Sequence, residues 1–158
     1  VMCNGWGGTK AFLMRSGIAA RFAAAGYVVI NYDYRGWGDS DSRLVVRDEM
    51  PEPDEDGYVT VKAQALREVV DPVDQQQDID AAISYVYGEP MVDKERIGIW
   101  GTSFGGGHVH EILQQNGIPT EYHVLKGKAH YDVYSGECLD DVMKLEIPWF
   151  DKYLKTED

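Results

Sequence analysis

The chain has 158 residues with ordinary hydrophobic (44%) and charged (27%) fractions, which is room for one globular domain with its own core. Its formal charge of −12 argues against a nucleic-acid binder, whose phosphate contacts need a basic footprint, and against anionic membrane surfaces. No apolar run reaches the roughly 18–20 residues that span a bilayer, and Val1 to Gly8 lacks the basic and apolar regions of a signal peptide.

In chain order, Met2 and Cys3 read as the end of an apolar strand that runs into the glycine-rich turn Asn4-Gly5-Trp6-Gly7-Gly8. Thr9 is placed to cap a helix reaching about Ala25, where Phe12, Leu13, Ile18, Ala19, Phe22 and Ala23 recur at helical spacing. Gly17 weakens its middle and Gly26 ends it. Tyr27 to Tyr32, a short β-branched run after a glycine, reads as a buried strand, and Asp33 to Ser42 as a loop. Residues 43 to 70 show no clear period and read as a surface excursion. Within them six of the nine positions from Asp48 to Asp56 are acidic, without the ligand spacing of a calcium loop, so a solvated loop is expected.

Asp71-Pro72 leads into a helix from about Val73 to Tyr87, with Ile79, Ala82, Ile83 and Val86 on one face. Asp93 to Arg96 is a charged turn and Ile97 to Trp100 a short buried strand. A helix begins at Phe104, Glu121 to Leu125 reads as a strand, and Leu139 to Leu154 as a closing helix that Pro148 should kink or interrupt. The alternation of strands and helices predicts an α/β protein with a mostly parallel sheet. Cys3 and Cys138 form no metal or redox spacing and read as reduced packing residues of a cytoplasmic protein.

Gly101-Thr102-Ser103-Phe104-Gly105 matches G-x-S-x-G, and it lies between an apolar strand and a small-residue helix start, the strand–turn–helix context of a nucleophile elbow. The bland alternative is a tight glycine turn in which Ser103 merely caps a helix. A serine nucleophile needs an imidazole to take its proton. His130 is the candidate base, because it sits in a turn after the last expected strand and downstream of Ser103; His108, His110 and His123 fall inside expected elements and read as structural. The backbone N–H groups of Phe104 and Trp6 are the candidate oxyanion donors, one beside the serine and one in the early glycine-rich loop.

Four stretches together resemble the α/β-hydrolase superfamily, with dienelactone hydrolases and X-Pro dipeptidyl-peptidase-like esterases as the nearest likeness. They are Asn4 to Lys10, Asp33-Tyr34-Arg35-Gly36-Trp37-Gly38-Asp39-Ser40, Arg96 to Gly107, and Gly127 to Tyr134. The resemblance implies an α/β-hydrolase-type, mostly parallel sheet with flanking helices, and a serine hydrolase that cleaves carboxylic esters through an acyl-enzyme. It implies that Asp33, Arg35 and Ser40 brace the site rather than react. Members of the superfamily are longer, so residues 1–158 are expected to form a single but incomplete domain. The expected join is near 108–111, where further strands, a cap and the catalytic acid would lie; an unbroken helix from Phe104 through Gln115 would count against it.

Within the present residues the acid is unknown and Asp132 is a weak candidate. No metal or organic cofactor is implied. The expected partner is a small-molecule ester or acyl substrate, not nucleic acid or membrane, with a homo-oligomer if sheet edges stay open. An acyltransferase or peptidase on the same site, or a non-catalytic binding protein or truncated remnant, are the rival readings.

Overall fold

Alternation along two residues sets the centre of the molecule. In the computed structural model, which describes residues 1–155, β1 (Met2–Cys3) sends Met2 and Cys3 into different core clusters, as the two-residue period of a strand requires. Met2 packs with Leu13, Ile18, Phe22, Trp100, Leu139, Met143 and Phe150. Cys3 packs with Tyr34, Ile79 and Val109. The first cluster joins β1 to α1 (Lys10–Arg15), α2 (Ile18–Ala24) and α5 (Gly136–Leu154); the second joins it to α3 (Pro72–Gly88) and α4 (Phe104–Gln115). Helices thus cover both faces of the strand, the layering of an α/β fold. Full burial of a side chain such as Leu13 or Ile18 contributes about 1.5–3 kcal/mol.

β1 pairs in parallel with β4 (Trp100–Gly101), Met2 opposite Trp100 and Cys3 opposite Gly101. Asn31 bridges Met2 on the other side, and the Met2 N–H donates to the Ile30 carbonyl at 3.0 Å. The expected strand over Tyr27 to Tyr32 is therefore reduced to one bridge, and the strand expected over Ile97 to Trp100 begins only at Trp100. The physical reason is common to both: a strand extends only as far as its partner, and β1 offers two residues.

The helix expected from Thr9 to Ala25 is two helices. Gly17 adopts φ 78° and breaks it, a conformation open to glycine and costly for other residues. Thr9 stands at the N-cap of α1 but its side chain makes no capping bond. Gly26 closes α2 at φ 95°: its N–H reaches the Ala23 carbonyl and that of Tyr27 the Phe22 carbonyl, a paired termination that satisfies the last carbonyls of a helix.

Residues 43 to 70 hold an antiparallel hairpin rather than a featureless excursion. β2 (Arg43–Val46) pairs with β3 (Ala63–Leu66), and the acidic run forms their connection. Asp48 accepts from the Lys62 N–H and Asp54 from that of Tyr58, so two of the carboxylates shape the loop. The hairpin escaped notice in the sequence because both its faces are largely exposed, leaving no apolar alternation to read.

α3 begins where Asp71 accepts from the Val73 and Asp74 N–H groups, with Pro72 in the first turn. Glu121 to Leu125 forms no strand. It lies mostly exposed, with Tyr122 and Val124 turned to solvent, and no neighbouring strand accepts it. Pro148 sits on the exposed side of α5 without interrupting it, where water can serve the carbonyl one turn back. α4 runs unbroken through His108–Glu111. Cys3 and Cys138 are free and buried. Among the described residues no helix is long and apolar enough to cross a membrane.

Candidate active site

The end of β4 passes through Thr102 into Ser103 and directly into α4. Ser103 is held at φ 54°, ψ −121°, a backbone state that costs on the order of 1–3 kcal/mol and persists only where its surroundings enforce it. Two bonds do so: the Thr102 N–H donates to the Cys3 carbonyl at 3.2 Å, and the Gly107 N–H to the Ser103 carbonyl at 3.2 Å. The glycines around it are steric necessities. A side chain on Gly105 would run into the carbonyl oxygens of Cys3 and Asn4, and one on Gly5 would lie 2.8 Å from the Ser103 Cβ.

His130 arrives on a separate segment. The Ala129 N–H donates to the Asp132 carboxylate at 2.8 Å and the Asp132 N–H returns to the Ala129 carbonyl at 3.1 Å, which folds the loop. A 3-10 turn, Asp132–Tyr134, then enters α5. The result is a His130 Nε2 3.0 Å from the Ser103 Oγ. With its proton on Nδ1 the imidazole accepts from the serine hydroxyl, the arrangement a general base requires. Tyr131 and Tyr134 set their rings edge-on to the imidazole, at 5.0 and 6.0 Å.

Trp6 and Phe104 are brought together, with ring centroids 5.7 Å apart and Trp6 69% exposed. Phe104 is the first residue of α4, where a helix N–H has no partner in its own helix. Among the described residues no carbonyl or side chain accepts from the Trp6 or Phe104 N–H. The N-terminus of a helix such as α4 favours negative charge.

The loop that follows the Tyr27–Tyr32 segment acts as a brace. Asp33 accepts from the Lys10 and Asp39 N–H groups and pairs with the Lys10 ammonium at 3.1 Å; the Ser40 hydroxyl donates to the Asp33 carbonyl. Burial opposes the charge of Asp33, but these donors together hold its carboxyl below the usual carboxylate range. Arg35 pairs with Asp74 and Asp78 of α3.

Asp132 does not orient His130. Its carboxylate is taken by the Ala129 N–H, and no carboxylate among the described residues hydrogen-bonds to the imidazole. His108 is buried against Phe104 and bonded to Gln75 at 2.9 Å, and burial lowers its proton affinity; His123 pairs with Glu121 at the surface. No group of three or more potential metal ligands occurs among the described residues.

The sequence reading missed Glu146. It accepts from the Trp100 indole N–H at 2.8 Å and lines, with Ser103, a cavity of about 140 Å³. The signal was its position, in helical register with the buried Leu139, Met143 and Phe150 of α5. A second cavity of about 240 Å³ touches neither Ser103 nor His130.

The model of the dienelactone hydrolase family matches residues 1–121, a span that contains Ser103 and ends before His130. The chain is similar to the quorum-quenching protein AidA of Acinetobacter baumannii, with 37% identity over 109 residues, which is 69% of this chain and 28% of AidA. It is similar also to two Escherichia coli proteins, each described as an uncharacterized 31.7 kDa protein in the traX-finO intergenic region. Each is 32% identical over 119 residues, 73% of this chain and 32% of the relative. The chain thus spans about a third or less of the length of these relatives.

Proposed function

This chain belongs to the dienelactone hydrolase family, whose members have the α/β-hydrolase fold, and from that premise we propose that it carries the catalytic site of a serine hydrolase acting on carboxylic esters, cyclic esters (lactones) included. Ser103 is the nucleophile, His130 its base, and the Trp6 and Phe104 amides the oxyanion donors.

The observation that carries this reading is the 3.0 Å approach of His130 Nε2 to the Ser103 Oγ, made by residues 27 positions apart, one of them in a strained backbone. His130 takes the hydroxyl proton as Oγ bonds to the substrate carbonyl carbon. The carbonyl oxygen becomes an anion facing the two free amides, each such donor being worth about 2.7–4 kcal/mol in comparable sites. When the tetrahedral species collapses, the C–O bond to the leaving alcohol breaks and His130 returns the proton to that oxygen. Water then repeats the sequence on the acyl-serine and regenerates the hydroxyl.

Within the described residues the relay is a pair, because no carboxylate holds the imidazole. A missing or mutated acid lowers turnover by about four orders of magnitude in a related constellation, so slow turnover with complete serine labelling is the expected phenotype of this chain alone. The test combines a fluorophosphonate probe, read by intact mass and peptide mapping, with hydrolysis of p-nitrophenyl esters and simple lactones. One adduct on Ser103, abolished in Ser103→Ala together with hydrolysis, is the expected result. Hydrolysis that survives Ser103→Ala would overturn the assignment.

A further inference from the structure

Two hydrogen bonds cross between residues 97–103, which carry the serine, and residues 126–155, which carry the histidine, among the described residues. One is the Ser103–His130 contact itself, at 3.0 Å; the other runs from Trp100 Nε1 to Glu146 Oε2 at 2.8 Å. The rest of the boundary is non-directional: Trp100 shares a core cluster with Leu139, Met143 and Phe150, and a cavity of about 140 Å³ separates Gly101, Thr102 and Ser103 from Val133, Leu139 and Met143. Apolar packing fixes no single orientation. Between these two segments, among the described residues, Trp100–Glu146 is thus the one directional contact besides that of serine and histidine themselves.

We infer that Glu146 is a positioning residue for the Ser103–His130 pair, acting through the indole of Trp100. Its catalytic consequence rests on the hydrolase reading above. The connectivity makes the tie effective. Trp100 is fixed in β4, three residues before Ser103, and packs in the core against Phe22. Glu146 lies on α5, which follows the His130 loop through the Asp132–Tyr134 turn. Fastening Glu146 to Trp100 thus fastens the histidine-bearing segment to the serine-bearing strand. Burial pushes the Glu146 carboxyl up to about 7, so the fold keeps an acid where a leucine would pack at no electrostatic cost. Misplacement of reacting groups by an ångström costs about a hundredfold in rate, and loss of such a tie falls within that range.

The experiment uses the full chain as wild type, Glu146→Gln, Glu146→Leu, Trp100→Phe and the Trp100→Phe/Glu146→Leu double variant, with folding followed by circular dichroism. Kinetics with p-nitrophenyl acetate give the first readout. Glu146→Leu and Trp100→Phe are each expected to lower kcat about tenfold with KM within about twofold. Glu146→Gln, which keeps an acceptor oxygen, is expected to recover most of kcat, and the double variant to be no worse than the poorer single one. The second readout is the NMR chemical shift of the His130 ring nitrogens, which needs no turnover. The Nε2 resonance should move in Glu146→Leu in the direction seen in Ser103→Ala, because both loosen the same hydrogen bond.

Glutamine as poor as leucine, or additive single effects, would overturn the inference. If wild type shows neither a Ser103 adduct nor ester hydrolysis, the hydrolase reading falls and the NMR arm decides the positioning role: an unmoved His130 Nε2 resonance in Glu146→Leu defeats it. Should the leucine variant not fold, Trp100→Phe provides the same comparison by removing the donor instead of the acceptor.

Discussion

A methyl group is enough to test how tightly the serine turn is built. Gly105 lies against the carbonyl oxygens of Cys3 and Asn4, so any Cβ there must push β1 and its loop away from α4. Gly105→Ala is expected to lower stability by about 1–3 kcal/mol, the range for overpacking, and to slow Ser103 labelling as the Trp6 loop shifts. Urea unfolding beside labelling rates would check both. A second residue-scale expectation concerns pH. Burial raises the Glu146 carboxyl to about 7, whereas an unfolded glutamate titrates near ~4.3. Between those values the folded protein holds a proton that the unfolded chain has lost. The folded state is therefore favoured most at acid pH by this group, and that advantage disappears as pH rises through about 7, a change of at most about 4 kcal/mol. Glu146→Gln should flatten this part of the stability profile when urea midpoints are compared across the window. An unchanged profile would mean that the carboxyl is better solvated than its position beside Trp100 indicates.

Among the elements, α3, α4, α5 and the two-residue β1 were readable, and the longer strands were not. α3 announces itself through Asp71-Pro72 and the apolar spacing of Ile79 and Ala82, and the structure bears out both its start and its buried face. Replacing Asp71 by Ala removes the acceptor for two helix N–H groups and should lower stability by about 1 kcal/mol, with no effect on Ser103 labelling because the cap lies on a different element. Thermal unfolding of the two proteins would show it. The strands expected at Tyr27 to Tyr32 and Glu121 to Leu125 failed for a reason that residue type cannot reveal. Val28, Tyr122 and Val124 have the composition of strands, yet a strand exists through its neighbour, and these segments find one bridge or none. The reverse error occurred at Arg43–Val46 and Ala63–Leu66, where pairing is present and apolar alternation absent. Gly17 shows the middle case: its weakness in a helix was visible, but that it breaks the helix outright follows from its left-handed backbone.

Taken as a whole, the molecule carries a net charge of −12, which its ion pairs, such as Arg35 with Asp78 and Lys10 with Asp33, leave unchanged because each joins one charge of either sign. Self-repulsion of this kind weakens with screening, since the Debye length falls from about 30 Å at 0.01 M salt to about 10 Å at 0.1 M. The melting temperature is expected to rise by a few degrees over that interval; a fall would mean that the ion pairs outweigh the net repulsion. What the sequence determined by itself was chemistry of short range: the serine in its glycine frame, the helix that follows it, and the start of α3 at Asp71-Pro72. These depend on neighbours within a few residues, whose sizes and backbone preferences are written in the chain. Only the tertiary structure decided that His130 reaches Ser103 while Asp132 does not reach His130, that Trp6 lies against Phe104, and that Glu146 ties the two halves of the site. Each of those facts is a distance between separate segments, set by how α5 and β4 pack around a shared core, and no local pattern encodes it.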